Sequence, residues 1–561
     1  MDRPWLKFYG DMPHSLNYPT DSMVERVFST AKQYPQYIAY DFMGNQVTYG
    51  EFTEEISRVA ASFVAMGIKK GDHVTICLPN IPQGIEAFYA LNKIGAIPCM
   101  VHPLSAPEEI SYYLKLANST VLLTLDIFSK KIATMLQSHH SPCQIIVAKI
   151  QDKLPTIKKL FFRFTKQEEI VPLPNSITWS DFLKNQAPIP MVNISQDDCA
   201  VILYSGGTTG TPKGICLSNL NFNALAMQTI AASGCVDISG TAMLSVMPLF
   251  HGFGLGIGIH TALVGGAKCI LVPRFTIDSY AKLLKKKKPN FIPGVPTLFA
   301  ALLQTDKLKN TNLSFLKGVF SGGDSLSPDL KKRVDRFLKE HGSCVNIREG
   351  YGTTECVTAS CLTPTHYEKE GSIGIPYPDM LYKIVEPSTQ TDLPCGKDGE
   401  ICIAGPTVML GYLDDPIETE KVIQTHADGV RWLHTGDLGQ MDQDGYVYFR
   451  QRIKRVIVSN GYNIYPTQIE KVLSEHPKVD ACCVVGVKDE YRGQRVRAYV
   501  VLNGPVEKDE LLAYCRRSVA KYALPKEFII KKELPKTAVG KVAYRILEEE
   551  ANHEIKARSH H

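Results

Sequence analysis

Apolar residues recur at helical spacing from Met23 to Tyr34 and from Tyr49 to Met66, whereas His73 to Leu78 and Val121 to Leu125 are short apolar runs of strand length. Pro82, suited to the first turn of a helix, opens a further helical stretch predicted to run to about Ile94. This alternation predicts a parallel sheet with crossover helices, an α/β architecture. After about Asp379 the pattern changes to short β-rich runs broken by Gly, Pro and Asp, such as GEICIAGP and DGYVYF. It changes again from Arg455. Strand-like runs at Val456 to Val458, Ala481 to Val487 and Arg497 to Leu502 alternate with helical patterns at Pro466 to Glu475 and Lys508 to Val519. A compact α+β unit follows, with a boundary near Lys454, so that the chain divides into 1–453 and 454–561. Gly252 to Val272 is apolar but interrupted by glycines, His260 and Lys268, and reads as buried loop and strand.

Composition narrows the classes. A chain of 561 residues with 44% hydrophobic and 21% charged residues has ample core and lies far from the composition of disorder. Its net charge of +5 does not call for nucleic acid as a partner. The fifteen cysteines form no CxxC pair and no cluster at zinc spacing, which predicts reduced thiols in a cytoplasmic protein. There is no apolar stretch of signal-peptide or membrane-spanning length, and residues 558–561 look like tag residues. Within residues 153–167, Lys158, Lys159, Arg163 and Lys166 surround Leu160, Phe161, Phe162 and Phe164, a composition that fits a solvated surface excursion first and peripheral contact with an anionic membrane second. The run Lys285 to Lys288 ends a helical pattern, where cations complement the helix dipole without any ligand.

The most informative segment is VILYSGGTTGTPKG, Val201 to Gly214, a buried-strand pattern that runs straight into glycines and hydroxyls. Glycines let backbone N–H groups approach phosphate oxygens, hydroxyls add donors, and Lys213 supplies charge. The spacing is neither that of a Walker loop nor that of a dinucleotide fingerprint, and the Gly252, Gly254, Gly256, Gly258 series lacks the latter as well.

This loop resembles the signature of the adenylate-forming superfamily of acyl-CoA synthetases, luciferases and peptide-synthetase adenylation domains, and further motifs follow in that family's order. The resemblance implies a large N-terminal domain of layered sheets with flanking helices and a β-barrel-like subdomain, followed by a small mobile C-terminal domain. It implies that Ser205, Gly206, Gly207, Thr208, Thr209, Gly210 and Lys213 cradle the phosphates of ATP. In Gly350 to Glu355 (GYGTTE), Tyr351 would stack on adenine, with Gly352 and Thr353 beside it, Thr354 would bond near the phosphates, and Glu355 would hold Mg²⁺, a role that suits a hard carboxylate. Ser321-Gly322-Gly323 matches the strip against the other adenine face. Asp437, in Thr435-Gly436-Asp437, would accept from both ribose hydroxyls with Arg452 assisting. Lys541, in the loop PKTAVGK, would stabilise charge building between the carboxylate and the α-phosphate. Lys454 falls at the hinge position, and Gly461 leaves room for a pantetheine arm.

The implied activity is ATP- and Mg²⁺-dependent formation of an acyl-adenylate, then transfer of the acyl group to CoA with release of AMP. His251, in PLFHGFG, falls at the position beside the carboxylate and reads as a gate. Gly352 stands where acetate-specific relatives carry a bulky Trp, so an open acyl pocket is expected. The segments Arg3 to Lys7 and Pro79-Asn80, and Trp432 to Gly439, resemble bacterial long-chain fatty acid–CoA ligases, although Val430 and Arg431 are extra between Asp428-Gly429 and Trp432. A medium- or long-chain fatty acid is the expected substrate, and arylalkanoic acids fit the same residues. Ser325 matches a carrier-protein attachment motif only superficially, since a carrier is a separate helical domain. Two alternatives stand beside this reading: an enzyme loading an acid onto a separate carrier protein, and a silent acyl- or nucleotide-binding protein. Oligomeric state is not readable from the sequence.

Overall fold

In the computed structural model, residues 2–138, 144–156, 158–159, 170–205, 212–459, 462–489, 492–516, 518–537 and 541–558 are described. Their strands form four sheets. A nine-stranded sheet places Ala242–Ser245, Lys268–Leu271, Phe291–Gly294, Gly318–Ser321 and Ile347–Tyr351 in parallel register, with antiparallel strands only towards its edges. An eight-stranded sheet is likewise parallel from His73–Ile76 through Val121–Leu125 to Ser176–Thr178, and it continues through Cys199–Ser205 into the antiparallel strand Lys213–Ser218. Residues Leu381–Val385 to Val447–Arg452 make an antiparallel five-stranded sheet. The last sheet, also of five strands, is drawn wholly from Ile457–Ser459 onward.

Helix Pro82–Lys93 is buried along its length except at Lys93, and its polar side chains Gln83, Glu86 and Asn92 each find a partner inside. At its head Asn80, 2% exposed, donates from Nδ2 to Ser245 O (2.9 Å) and Met247 O (2.8 Å) and accepts from Leu249 N (2.7 Å). One side chain thereby satisfies three backbone groups of the loop that leads to His251.

The stretch Gly252 to Val272 departs from expectation. Only Lys268–Leu271 is strand; Phe253–Thr261 is a nine-residue π-helix continued by Ala262–Val264. Uniform apolarity hides the helix, because a segment buried on all sides shows no amphipathic period. Close approach explains the glycines, since a Cβ on Gly252 would lie 1.8 Å from Val357 O. Helix Lys508–Cys515 stops before Val519, and the antiparallel strands Val479–Asp489 and Gly493–Leu502 outrun their predicted lengths.

The lysines of the basic segments have specific partners. Lys153 is buried between Glu55 (2.9 Å) and Glu86 (2.6 Å), with Tyr40 donating to both carboxylates. Lys158 donates to Met43 O at 2.5 Å. Residues 160–169, the apolar centre of that segment, lie outside the described residues. Helix Ile277–Lys287 ends with Lys288 in left-handed conformation (φ 45°), and Lys287 pairs with Asp41 at 2.6 Å. Among the described residues no helix is long and apolar enough to cross a membrane.

Candidate active site

Strands Ala242–Ser245, Phe291–Gly294, Gly318–Ser321 and Ile347–Tyr351 are parallel, so their carboxyl ends open on one edge. That edge is where parallel α/β sheets hold ligands. Ser321-Gly322-Gly323 leaves one strand and Tyr351 to Glu355 another. A Cβ on Gly322 would stand at ordinary van der Waals distance, 3.4 Å, from Gly350 O, so the two strand ends lie side by side.

Tyr351 donates to Asp437 Oδ2 at 2.6 Å, and its ring tilts against Phe449 at 5.9 Å. Asp437 is 1% exposed, and burial pushes its carboxyl above the usual carboxylate range although Arg452 opposes this. Arg452 Nε stands 2.9 Å from Asp437 Oδ1 but off the N–H direction, so Oδ1 accepts no hydrogen bond. Ser321 Oγ and both amide atoms of Gln451 are also buried without a partner. Buried acceptors and donors left open cost free energy unless a ligand meets them. These atoms fit a hydroxyl-rich, hydrogen-bonding ligand such as the ribose and adenine of ATP.

The phosphate side is built around the hairpin of Cys199–Ser205 and Lys213–Ser218, whose intervening residues Gly206, Gly207, Thr208, Thr209 and Gly210 lie outside the described residues. Ser205 ends the first strand opposite Lys213. Lys213 pairs with Glu418 and stands 4.6 Å over the ring of Tyr412. Tyr412 in turn donates to Glu355 Oε1 at 3.1 Å, which leaves the other carboxylate oxygen available. Among the described residues there is no group of three or more His, Cys, Asp or Glu arranged to hold a metal, so a divalent ion here would share Glu355 with the phosphates of the nucleotide. Thr353 is buried, and Thr354 to Cys356 form a 3-10 turn ending at Val357, a β-branched residue held at φ 64°.

Lys541 comes from the other end of the chain. Its loop closes on itself through Thr537 N to Lys541 O (2.6 Å) and Lys541 N to Thr537 Oγ1 (3.2 Å). Burial holds its ammonium below the usual lysine range; Asp324 and Asp437 pull it up and Arg452 pushes it down. His251 is pushed down to about 4 by burial and by the Lys541 charge. Its Nδ1 accepts from Phe253 N at 3.1 Å, which leaves a neutral imidazole with the proton on Nε2. Lys541 therefore feels the charges of Asp324, Arg452 and Asp437, and His251 feels the charge of Lys541. Lys454 lies in the 3-10 turn Ile453–Arg455 that joins the last strand of the third sheet to the first of the fourth, and Gly461 is outside the described residues.

Gly352 requires a correction. Its lack of a side chain does not open a pocket, because a Cβ there would meet Thr358 O at 1.8 Å. The glycine is demanded by the backbone of the turn beside it. Gly352→Trp is expected to lower soluble yield and thermal stability by several kcal/mol rather than to switch the enzyme to acetate; melting curves and acetate turnover of the purified variant check this. Tyr412 and Glu418 escaped the sequence reading because nothing in their local pattern marks them. Asn80 stood out only as part of a resemblance.

An open-edged parallel sheet, a buried carboxylate with an unfilled acceptor, and a lysine delivered from a second unit define a nucleotide-dependent acid-activating enzyme. The chain belongs to the AMP-binding enzyme family: the family model matches residues 27–413, and the AMP-binding enzyme C-terminal domain matches 468–541. It is 35% identical to a long-chain-fatty-acid–CoA ligase of Bacillus subtilis (strain 168), with 99% of each chain covered. It is 32% identical to the ligase of that name from Salmonella typhimurium, again with 99% of each covered. Among solved structures it resembles the o-succinylbenzoate coenzyme A synthetase of Bacillus subtilis in complex with ATP and magnesium ion (TM-score 0.76, 26% identity, 94% of this chain and 98% of that one). ATP-bound MatB from Rhodopseudomonas palustris shares the fold (TM-score 0.82, 24% identity, 95% and 99% covered).

Proposed function

We infer that the protein joins a fatty acid to coenzyme A in two steps. A carboxylate oxygen attacks the α-phosphorus of ATP, forming the acyl-adenylate and expelling pyrophosphate. The CoA sulfur then attacks the acyl carbon, AMP leaves, and the thiol proton passes to solvent. The observation that supports this reading is that the Lys541 charge acts on His251 while Asp437 acts on Lys541, as expected of a cation working between the acid and the ribose. The names of the full-length bacterial relatives support the fatty acid and CoA as substrates.

In this reading Asp437 takes the ribose hydroxyls, Tyr351 and the Ser321 to Gly323 strip enclose the adenine, and Lys213 with the Ser205 to Gly210 loop cradles the phosphates. Thr354 bonds near the phosphates. Glu355 would hold Mg²⁺, which would offset phosphate charge. Lys541 stabilises charge that develops at the α-phosphate, where a preorganised cation lowers the barrier most. His251, neutral at physiological pH, gates the acid without adding a cation. The hinge at Lys454 divides the two catalytic units, 1–453 and 454–561, and its rotation takes Lys541 out of the thiol's path and brings Gly461 to the pantetheine channel. Peripheral contact of residues 153–167 with an anionic membrane would supply a poorly soluble acid.

Pyrophosphate release and product mass, measured across acetate, octanoate, palmitate, oleate, phenylacetate and benzoate with and without CoA, test the reading. Thioester formation is expected with palmitate and oleate and not with acetate. Adenylate without thioester would point to a carrier-protein acceptor and overturn the CoA assignment.

A further inference from the structure

The residues that lengthen the interval before Trp432 form the turn between strands Ile423–Thr425 and Arg431–Met441, closed by Gly429 N to His426 O (2.9 Å) and His426 N to Val430 O (3.1 Å). This turn carries His426 over the adjacent strand until its Nε2 faces His434 Nε2 at 2.9 Å. His434 Nδ1 lies 3.0 Å from Glu400 Oε2, and Glu400 Oε1 accepts from the backbone N–H of Gly436 at 2.9 Å. His426, His434 and Glu400 are 5%, 8% and 6% exposed. Gly436, at φ 70°, immediately precedes Asp437.

With both rings neutral and Glu400 ionised, one assignment of protons satisfies every contact. An ionised Glu400 only accepts, so His434 carries its proton on Nδ1 and presents a lone pair at Nε2. His426 must then carry its proton on Nε2. That leaves a lone pair on His426 Nδ1, which is buried without a partner.

We propose that His426, His434 and Glu400 form a hydrogen-bonded chain that fixes Gly436 and thereby aims the Asp437 carboxylate at the nucleotide ribose. The proposal rests on the reading of Asp437 as the ribose ligand. These three are positioning residues, since none of them reaches the reacting atoms. A further proton could enter only at His426 Nδ1, where no acceptor waits. The Lys383 ammonium acts on that ring from the far side of the strand that neighbours Trp432's, standing 4.6 Å over the Trp432 ring and paired with Asp392 (3.0 Å) and Asp428 (3.6 Å). Burial first, then Lys383 and His434, hold His426 below the usual imidazole range against the opposing pull of Asp428 and Asp392. The chain is thus intact at neutral pH and opens only on the acid side, when a charged His426 must leave its pocket to be solvated.

The test is the KM for ATP of the full-length enzyme, with nucleotide affinity measured separately in the absence of acid substrate, from neutral pH down to about pH 5. In the wild type, KM for ATP is expected to rise about tenfold towards acid, the worth of one lost hydrogen bond to a charged group, while KM for the fatty acid stays level. His426→Gln offers an amide N–H near the Nε2 position and cannot titrate; it should keep the neutral-pH KM and lose the acid rise. His426→Leu should raise KM for ATP about fivefold at neutral pH with kcat at saturating ATP unchanged. An acid rise in the Gln variant equal to that of the wild type, or a wild-type KM in the Leu variant, overturns the chain. Should the His426 variants not fold, His434→Asn keeps a donor to Glu400 without a titrating ring and should show the same flat profile. Asp437→Asn measured alongside separates the two readings: unchanged nucleotide affinity there sinks the ribose assignment, whereas weakened affinity with unresponsive His426 variants sinks the chain alone.

Discussion

Lys541→Ala is expected to slow adenylate formation about 1000-fold, some 4 kcal/mol of transition-state stabilisation, while nucleotide affinity changes less than threefold. The lysine is half-buried within the field of Asp437 and Arg452, and its charge reaches His251. A cation so placed meets negative charge as it develops during attack on phosphorus, not in the ground state alone. The measurement is acid-dependent exchange between pyrophosphate and ATP, paired with nucleotide binding by calorimetry. Lost binding with unaltered chemistry would assign Lys541 to substrate capture and sink its catalytic role. Because the Lys541 charge helps hold His251 near 4, the same variant should let that imidazole titrate closer to its ordinary range, a shift that histidine NMR can follow.

Asp437→Asn should weaken ATP binding about 100-fold, roughly 2.7 kcal/mol, with little change in the turnover of bound substrate. The substitution keeps the size of the side chain and an oxygen for the Tyr351 hydroxyl, but it removes the charge facing Arg452 and replaces an acceptor by a donor. The open Oδ1 acceptor is what a ribose hydroxyl would fill. Titration calorimetry with ATP and with AMP reads the effect, and an affinity within twofold of the wild type would refute the assignment. Thermal unfolding of the variant distinguishes lost recognition from lost folding.

Much of this was legible in the chain because local chemistry and tertiary position coincide. The strand at Cys199–Ser205 feeding a glycine and hydroxyl loop, and the carboxylates Glu355 and Asp437, announce themselves by residue type and order. The parallel strands were legible as short apolar runs because both of their faces are covered. Phe253–Thr261 was not legible as a helix, since burial on every side erases the periodicity that marks one. Gly352 was misread for a different reason: only the fold reveals that the backbone of Thr358 lies where a side chain would go. Tyr412, Glu418 and Glu400 reach the site from segments distant in sequence, so no spacing rule could have joined them to Lys213 or Asp437.

On the proposed assignment of Lys213 to the phosphates, its pairing with Glu418 would make phosphate recognition an exchange rather than a capture. An arriving triphosphate must take the ammonium from a carboxylate that already satisfies it, so the net attraction is the difference between two ionic contacts. The departure of pyrophosphate restores the first of them. Glu418 would thereby act as a counterweight, moderating the grip on ATP and easing release of pyrophosphate.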